Sequence, residues 1–143
     1  LQMLQADTEK MEPSRREKRR PVIEAQETIW GRARAAGVKL AWGTDFLFDP
    51  GVNAEQNNYL VRLKAWFTPA EILKLATHDN AQLLALSGPR SPYPGTLGVV
   101  REGALADLIL VNGDPLADIE LVADPGRHFA VIMKDGVIVK EVP

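Results

Sequence analysis

The sequence lacks cysteine altogether, which excludes a disulfide scaffold, a thiolate metal centre and a cysteine nucleophile, and leaves the redox compartment open. It has only 2 histidines, His78 and His128, and these lie far apart in the chain. No HxH, HxxxH or HExxH pair can therefore occur. The two-histidine count excludes a metalloenzyme whose histidine ligands all come from this chain.

Long apolar runs and an excess of charge of one sign are also missing. No run approaches the roughly 20 residues that a membrane-spanning helix needs. The 17 Lys and Arg nearly balance the 19 Asp and Glu, so the formal net charge is −2. We therefore expect neither a membrane nor a nucleic-acid partner. The sequence begins with Leu1 rather than Met, which we interpret as a sign of processing, of an artificial boundary or of a chain broken off a longer protein.

The first half of the chain alternates between helical and strand-like patterns. Apolar residues at helical spacing predict a helix that begins at Pro21 and ends at Gly37. Residues 38–42 then alternate in the manner of a short strand, and residues 53–66 predict another helix. This order of helix, glycine, short strand and polar loop is typical of an α/β fold.

The second half ends in strand-like segments. Thr68 and Glu71 predict a capping box that starts a helix, and residues 79–86 predict a second short helix. After a Pro- and Gly-rich stretch, residues 108–111 predict a strand, and Asp135-Gly136 between two apolar runs predicts a hairpin. The tail thus supplies about three strands, which is too few for a closed barrel. We expect these strands to pair with strands from elsewhere.

Asp45 is the strongest candidate for a catalytic residue. It follows the apolar segment 38–42 on a Gly-Thr step, where the backbone can turn sharply and expose a carboxylate. In parallel α/β folds, ligands and catalytic groups gather at the carboxyl ends of strands. The competing interpretation is an aspartate that only caps the next loop, and the local sequence alone favours that interpretation.

An ordered set of segments, rather than one motif, is the most informative pattern in the sequence. The segments are Gly37 to Asp45 (GVKLAWGTD), Thr68 to Thr77 (TPAEILKLAT), Asn80-Ala81, Leu86-Ser87-Gly88, Gly95 to Gly98 (GTLG), Gly103 to Val111 (GALADLILV), Gly113 to Leu116 (GDPL) and Val131 to Gly136 (VIMKDG). In this order they resemble the metal-dependent amidohydrolase superfamily, and in particular its imidazolonepropionase and prolidase-like branch. The family often has Pro-Gly-Lys before Ala-Asp-Leu, whereas this chain has Glu102-Gly103-Ala104-Leu105. That segment is structural in the family, so this departure leaves the catalytic assignment unchanged.

The resemblance implies an α/β architecture in two parts. Residues 1–87 would be the end of a TIM (β/α)8 barrel, with 38–42 as its eighth strand followed by helices. Residues 88–143 would be C-terminal strands of a small composite β-sandwich. The chain would then be a C-terminal fragment, inactive alone, and its main partner would be the missing N-terminal part of the same protein.

The resemblance also implies a chemistry. Asp45 would be both a metal ligand and the general base of an enzyme that hydrolyses an amide-type C–N bond in a dipeptide, a cyclic amide or a urea-like compound. The cofactor would be a divalent metal, expected to be zinc, with most ligands outside this chain. Phe46, Phe48 and Tyr59 are weaker candidates to line the pocket for the small-molecule substrate.

A second hypothesis comes from a different class of protein. The short chain and the incomplete site are also compatible with a free-standing, non-catalytic α/β module that binds a partner through exposed strand edges. The sequence leaves open the substrate, the metal, the compartment and whether the protein forms a homo-oligomer.

Overall fold

The computed structural model describes residues 12–46 and 50–142, which fall into two compact units, Leu1–Leu40 and Ala41–Pro143. The described residues of the first unit form the helix α1 (Pro13–Ala35). The prediction that this helix begins at Pro21 is wrong, because Pro21 lies inside it. The Arg-, Glu- and Lys-rich turns before Pro21 have high helix propensity, and Pro13 suits the first helical turn. Pro21 removes one backbone hydrogen bond from this helix.

The predicted end of α1 at Gly37 is confirmed. Gly37 has a φ of +65°, a conformation that glycine adopts without steric cost. The Val38 N–H donates to the Ala33 carbonyl at 2.9 Å, and the Gly37 N–H donates to the Arg34 carbonyl at 3.0 Å. This pair of bonds is a Schellman motif, which satisfies carbonyl groups that the end of the helix leaves free.

The predicted strand over 38–42 is not formed in this structure. Residues 38–46 have no regular secondary structure and pair with no strand among the described residues. A strand is defined by ladder hydrogen bonds to a neighbour, and the sheet that the chain does form lies elsewhere in the sequence. The alternation of apolar residues over 38–42 therefore predicted a strand, but this segment forms no strand-to-strand hydrogen bonds with the described residues.

The helical region of the second unit is a series of short elements. The predicted helix over 53–66 is interrupted, and the helix that was expected to break before residue 79 instead continues through a π turn. The elements are α2 (Pro50–Asn53), α3 (Gln56–Val61), a 3-10 turn (Arg62–Ala65), α4 (Pro69–Lys74), the π turn (Leu75–Asp79), α5 (Asn80–Ala85) and a 3-10 turn (Gly88–Arg90).

The capping box at the start of α4 is confirmed. The Glu71 N–H donates to the Thr68 hydroxyl, and the Thr68 N–H donates to the Glu71 carboxylate at 2.8 Å. Pro69 occupies the first turn, where its missing N–H has no cost. Ile72, on the next turn, is fully buried at 0% exposure, so the cap fixes where the helix enters the core.

The predicted strands of the tail are also confirmed. The strands β1 (Leu108–Val111), β2 (Phe129–Lys134) and β3 (Val137–Glu141) form an antiparallel sheet in the order β1-β2-β3. Asp135 and Gly136 have φ angles of 50° and 78°, as a two-residue hairpin turn requires. A 3-10 turn (Ile119–Ala123) and α6 (Pro125–His128) connect β1 to β2.

The core of the second unit lies between α3 and the 3-10 turn Ile119–Ala123, and it extends under α4. Its buried members are Leu60, Val61, Leu63, Phe67, Ile72, Leu75, Ala81, Ile119, Val122 and Phe129. The Asn57 side chain fastens the two elements by donating to the Val122 carbonyl at 2.9 Å. An exposed ion pair between Lys64 and Glu120 joins the same two regions. In the described part of the chain, every helix is too short or too polar to traverse a bilayer.

Candidate functional site

Asp45 has an unusual backbone. Its φ is +57°, and among the described residues only Asp45 and Asp135 combine a positive φ with a side chain. Asp135 sits in the hairpin turn, which demands such an angle, whereas Asp45 follows a segment without regular secondary structure. A left-handed residue outside a tight turn persists only where its surroundings hold it, and such residues cluster at functional sites. The Asp45 side chain is exposed and available to a ligand.

The segment before Asp45 is fixed by a side chain from the helical region. The Trp42 N–H donates to the Asn80 side-chain oxygen at 2.8 Å, in a partly buried contact. The Asn80 amide group in turn donates to the Ala76 carbonyl at 3.4 Å. Asn80 is the first residue after the π turn, and π turns within α-helices are frequent at functional sites.

Two of the aromatic residues predicted to line a pocket lie together. The rings of Phe46 and Tyr59 meet edge to face, with centroids 4.8 Å apart. The Arg62 guanidinium lies over the Tyr59 ring, with its central carbon 3.8 Å from the ring centroid. Within the described part of the chain, the buried Nε and Nη1 atoms of Arg62 have no hydrogen-bond acceptor. The structure thus joins Phe46, the residue after Asp45 in the sequence, to a cluster with the Tyr59 ring and the Arg62 cation. The third predicted residue, Phe48, lies outside the described residues.

The histidines do not complete a metal centre. His78 lies in the π turn, and His128 is the last residue of α6. Residues 12–46 and 50–142 contain no group of three or more His, Cys, Asp or Glu side chains that could hold a metal ion. A catalytic zinc site typically has three protein ligands, so Asp45 could contribute one of them.

Three aspartates of the tail accept hydrogen bonds from backbone N–H groups. The Asp114 carboxylate accepts from the Leu116 N–H at 2.9 Å, and that of Asp118 accepts from the Glu120 N–H at 3.0 Å. Asp107 accepts from the Asp135 N–H at 2.7 Å and from the Lys134 ammonium at 2.6 Å. Each carboxylate therefore stabilises a turn.

The surroundings of Asp107 change its acidity. The hydrogen bond from Lys134 and that from the Asp135 N–H lower the pKa of the Asp107 carboxyl below its usual 3.8. The same hydrogen bond to Asp107 raises the pKa of Lys134 above 10.5. Both shifts favour the ion pair across the hairpin turn at neutral pH.

Two residues of this region were not singled out as site residues from the sequence. Arg62 lies three positions after Tyr59, a spacing that puts two side chains on one face of a helix, so the pair was detectable in principle. Asn80 has poor helix propensity and lies within a long helical stretch, which is a weak signal of a special role. Its contact with Trp42, 38 residues away, has no signature in the sequence.

Comparison with solved structures supports the resemblance. The chain is similar to an amidohydrolase at 29% identity and a TM-score of 0.66, covering 79% of this chain and 25% of that one. A prolidase complexed with N-methylphosphonate-L-proline matches at 29% identity and a TM-score of 0.74, covering 93% and 30%. The ochratoxinase of Aspergillus niger matches at 26% identity and a TM-score of 0.75, covering 99% and 30%. No protein-family model matches the chain.

The sequence comparison leads to the same group of proteins. Over 105 residues, or 73% of this chain, the sequence is 39% identical to the ochratoxinase of Aspergillus niger. The chain belongs to the amidohydrolase superfamily. Within that superfamily it is similar to ochratoxinase and to a prolidase. It spans 20% of the length of the curated relative and 25% to 31% of the solved chains.

Proposed function

We propose that this chain is part of a metal-dependent hydrolase that cleaves an amide-type C–N bond in a small substrate. The observation that carries the proposal is Asp45, an exposed carboxylate in a left-handed conformation after a segment without regular secondary structure. The similarity to an amidohydrolase, a prolidase and an ochratoxinase supports the bond type. A dipeptide, a cyclic amide and a urea-like compound all contain such a bond.

Asp45 acts as the general base in this proposal. Its carboxylate accepts a proton from the water that adds to the substrate carbonyl carbon, and it returns that proton to the nitrogen as the C–N bond breaks. One water is consumed, and an acid and an amine are released. Because the Asp45 side chain is exposed, both substrate and water can reach it.

A divalent metal, which we propose to be zinc, completes the site. When bound, such an ion lowers the pKa of water to about 7 and so supplies hydroxide at neutral pH. Asp45 is the residue of this chain that would hold the ion, and the described residues add no group of ligands to it. The remaining ligands would come from the rest of the protein, since this chain spans only a fifth to a third of its relatives.

Phe46, Tyr59 and Arg62 support a substrate-binding face next to this carboxylate. Phe46 and Tyr59 offer an aromatic surface, and Arg62 stacks on it with buried nitrogens. We propose that this cluster contacts the part of the substrate that leaves as the amine. Replacing Tyr59 by Ala is expected to raise KM about tenfold with a smaller effect on kcat, because it removes binding that ground state and transition state share.

The test of the proposed function is Asp45→Asn in the complete protein. Asn tolerates the left-handed conformation, so the backbone is preserved, but an amide cannot accept the proton. We expect kcat/KM for a panel of dipeptides and N-acyl amino acids, assayed with zinc, to fall by at least about a thousandfold. Metal content, measured by mass spectrometry, should also fall.

Asp114→Asn is the matched control. Asp114 is also an exposed aspartate at a turn, and Asn at that position can still accept the Leu116 N–H. We expect this variant to keep wild-type activity and metal content. If Asp45→Asn stays within a few-fold of wild type, Asp45 is not the base and the proposal fails.

A further inference from the structure

We infer that Asn80 is a positioning residue for Asp45, which it reaches through the main chain of Trp42. This inference rests on the proposed role of Asp45. The relevant contact is the 2.8 Å hydrogen bond from the Trp42 N–H to the Asn80 side-chain oxygen. It connects the segment that ends in Asp45 to the start of α5, 38 residues further along the chain.

The need for such an anchor comes from the conformation of the segment. Residues 41–46 belong to no helix or strand, so ladder hydrogen bonds do not fix their dihedral angles. Yet Asp45 adopts a φ of +57°, in the left-handed region that residues with a side chain adopt far less often than glycine. A fixed point at Trp42, three positions earlier, limits the conformations open to Gly43 and Thr44. We infer that this restricts the directions in which the Asp45 carboxylate can point.

Asn80 is itself held by a second hydrogen bond. Its amide group donates to the Ala76 carbonyl at 3.4 Å, which leaves the side-chain oxygen to accept from the Trp42 N–H. The loop at Gly98 packs on the same turns of helix, since a Cβ atom at Gly98 would lie 2.8 Å from both the Ala81 Cβ and the Thr77 carbonyl oxygen. The helical turns that carry Asn80 are therefore closely packed against this loop.

If Asn80 positions Asp45, a substitution at Asn80 should lower kcat by more than the accompanying change in melting temperature explains. In the complete protein, Asn80→Leu removes the acceptor while keeping the number and branching of the side-chain heavy atoms. We expect kcat to fall between about tenfold and about a hundredfold because the base is misplaced. KM should change less than about twofold. Asn80→Asp keeps an oxygen acceptor for the Trp42 N–H and should recover most of the lost kcat.

Asn57→Leu provides a matched control. Asn57 is also a partly buried asparagine whose side chain bonds a distant backbone group, but its partner is the Val122 carbonyl in the core. It should lower the melting temperature about as much as Asn80→Leu does, while kcat stays within about twofold of wild type. A purely structural role for Asn80 would instead give both variants the same kcat.

The outcomes separate this inference from the proposed function. If Asp45→Asn abolishes activity but Asn80→Leu turns over like wild type, the positioning role is refuted and the proposed function stands. If Asp45→Asn is active, the proposed function fails first. If Asn80→Asp is as slow as Asn80→Leu, the hydrogen-bond acceptor is not what matters, and the inference is refuted.

Discussion

At the scale of single residues, Gly98 joins the loop after residue 88 to the helical region. It has a φ of +71°, and it has no space for a side chain, because a Cβ atom would come within 2.9 Å of the His78 Cα. Both the backbone angle and the close approach require glycine at this position. Glycine at this position therefore lets the loop backbone contact the π turn directly.

We predict that Gly98→Ala destabilises the complete protein by about 3 kcal/mol, from left-handed strain and overpacking together. Gly103→Ala separates the two effects, since Gly103 has a φ of +79° but open space around its Cα. That variant should cost about 1 kcal/mol. Urea denaturation measures both changes. Equal destabilisation in the two variants would show that Gly98 is not tightly packed.

The site residues show what a sequence can and cannot predict at this scale. Asp45 stood out as a candidate because a carboxylate follows an apolar segment and a Gly-Thr step, and its expected role came from the family resemblance. Its left-handed angle and its link to Asn80 were not predictable, because both depend on contacts between residues far apart in sequence. Arg62 was not recognised because a stacked cation has the same local pattern as any surface arginine.

At the scale of elements, the hairpin of β2 and β3 depends on charge. The Asp107 carboxylate, on the segment leading into β1, binds both Lys134 and the Asp135 N–H at the hairpin turn. Because its pKa is lowered in the folded protein, this contribution to stability is complete above the usual value of 3.8. It is lost as the pH falls through the lower, folded-state pKa. It is lost again as the pH rises through the raised pKa of Lys134.

We therefore predict a pH-dependent effect of Asp107→Asn. This variant keeps an acceptor for the Asp135 N–H and removes only the charge. In the complete protein, amide hydrogen exchange in β2 and β3 should be faster than in wild type between about pH 5 and about pH 9. The difference should shrink below about pH 4. Lys134→Gln should give the same profile, and a difference that is independent of pH would contradict the role of the ion pair.

Elements specified by neighbouring residues were predicted well. The capping box at Thr68, the Schellman end at Gly37 and the Asp135-Gly136 hairpin all depend on a few adjacent side chains. Elements that depend on distant partners were predicted less well. The segment 38–42 has a strand pattern without a ladder, and the start of α1 was misplaced because Pro21 is tolerated inside the helix.

At the scale of the whole molecule, the sheet has apolar side chains on both faces, and neither face is fully covered by the other described residues. Ile109 and Leu110 point to opposite faces of β1, since they are adjacent in a strand, and they are 53% and 61% exposed. Val137 and Val139 of β3 are 63% and 62% exposed. A stable antiparallel sheet usually buries at least one face. These residues therefore favour a larger assembly in which further strands or loops cover the sheet.

We predict that the 143-residue chain expressed alone self-associates. Its exposed strands should bind a hydrophobic dye, and gel filtration should show species larger than a 15.7 kDa monomer. Replacing Leu110 and Val139 together by Lys should reduce both signals. A monodisperse, folded monomer with no dye binding would instead favour the alternative of a free-standing module.

The π turn at Leu75–Asp79 sets a constraint on how the chain can change in length. A π turn holds one residue more than the same turn of α-helix, and each residue rotates the helix by about 100°. Because the wider turn absorbs that residue, deleting one residue between Lys74 and Asn80 would convert the π turn into α-helix and leave Asn80 near its present orientation. The deletion would instead remove the wide turn whose Thr77 carbonyl and His78 Cα lie against Gly98, so a one-residue shortening is expected to loosen the loop at Gly98 rather than to release Trp42.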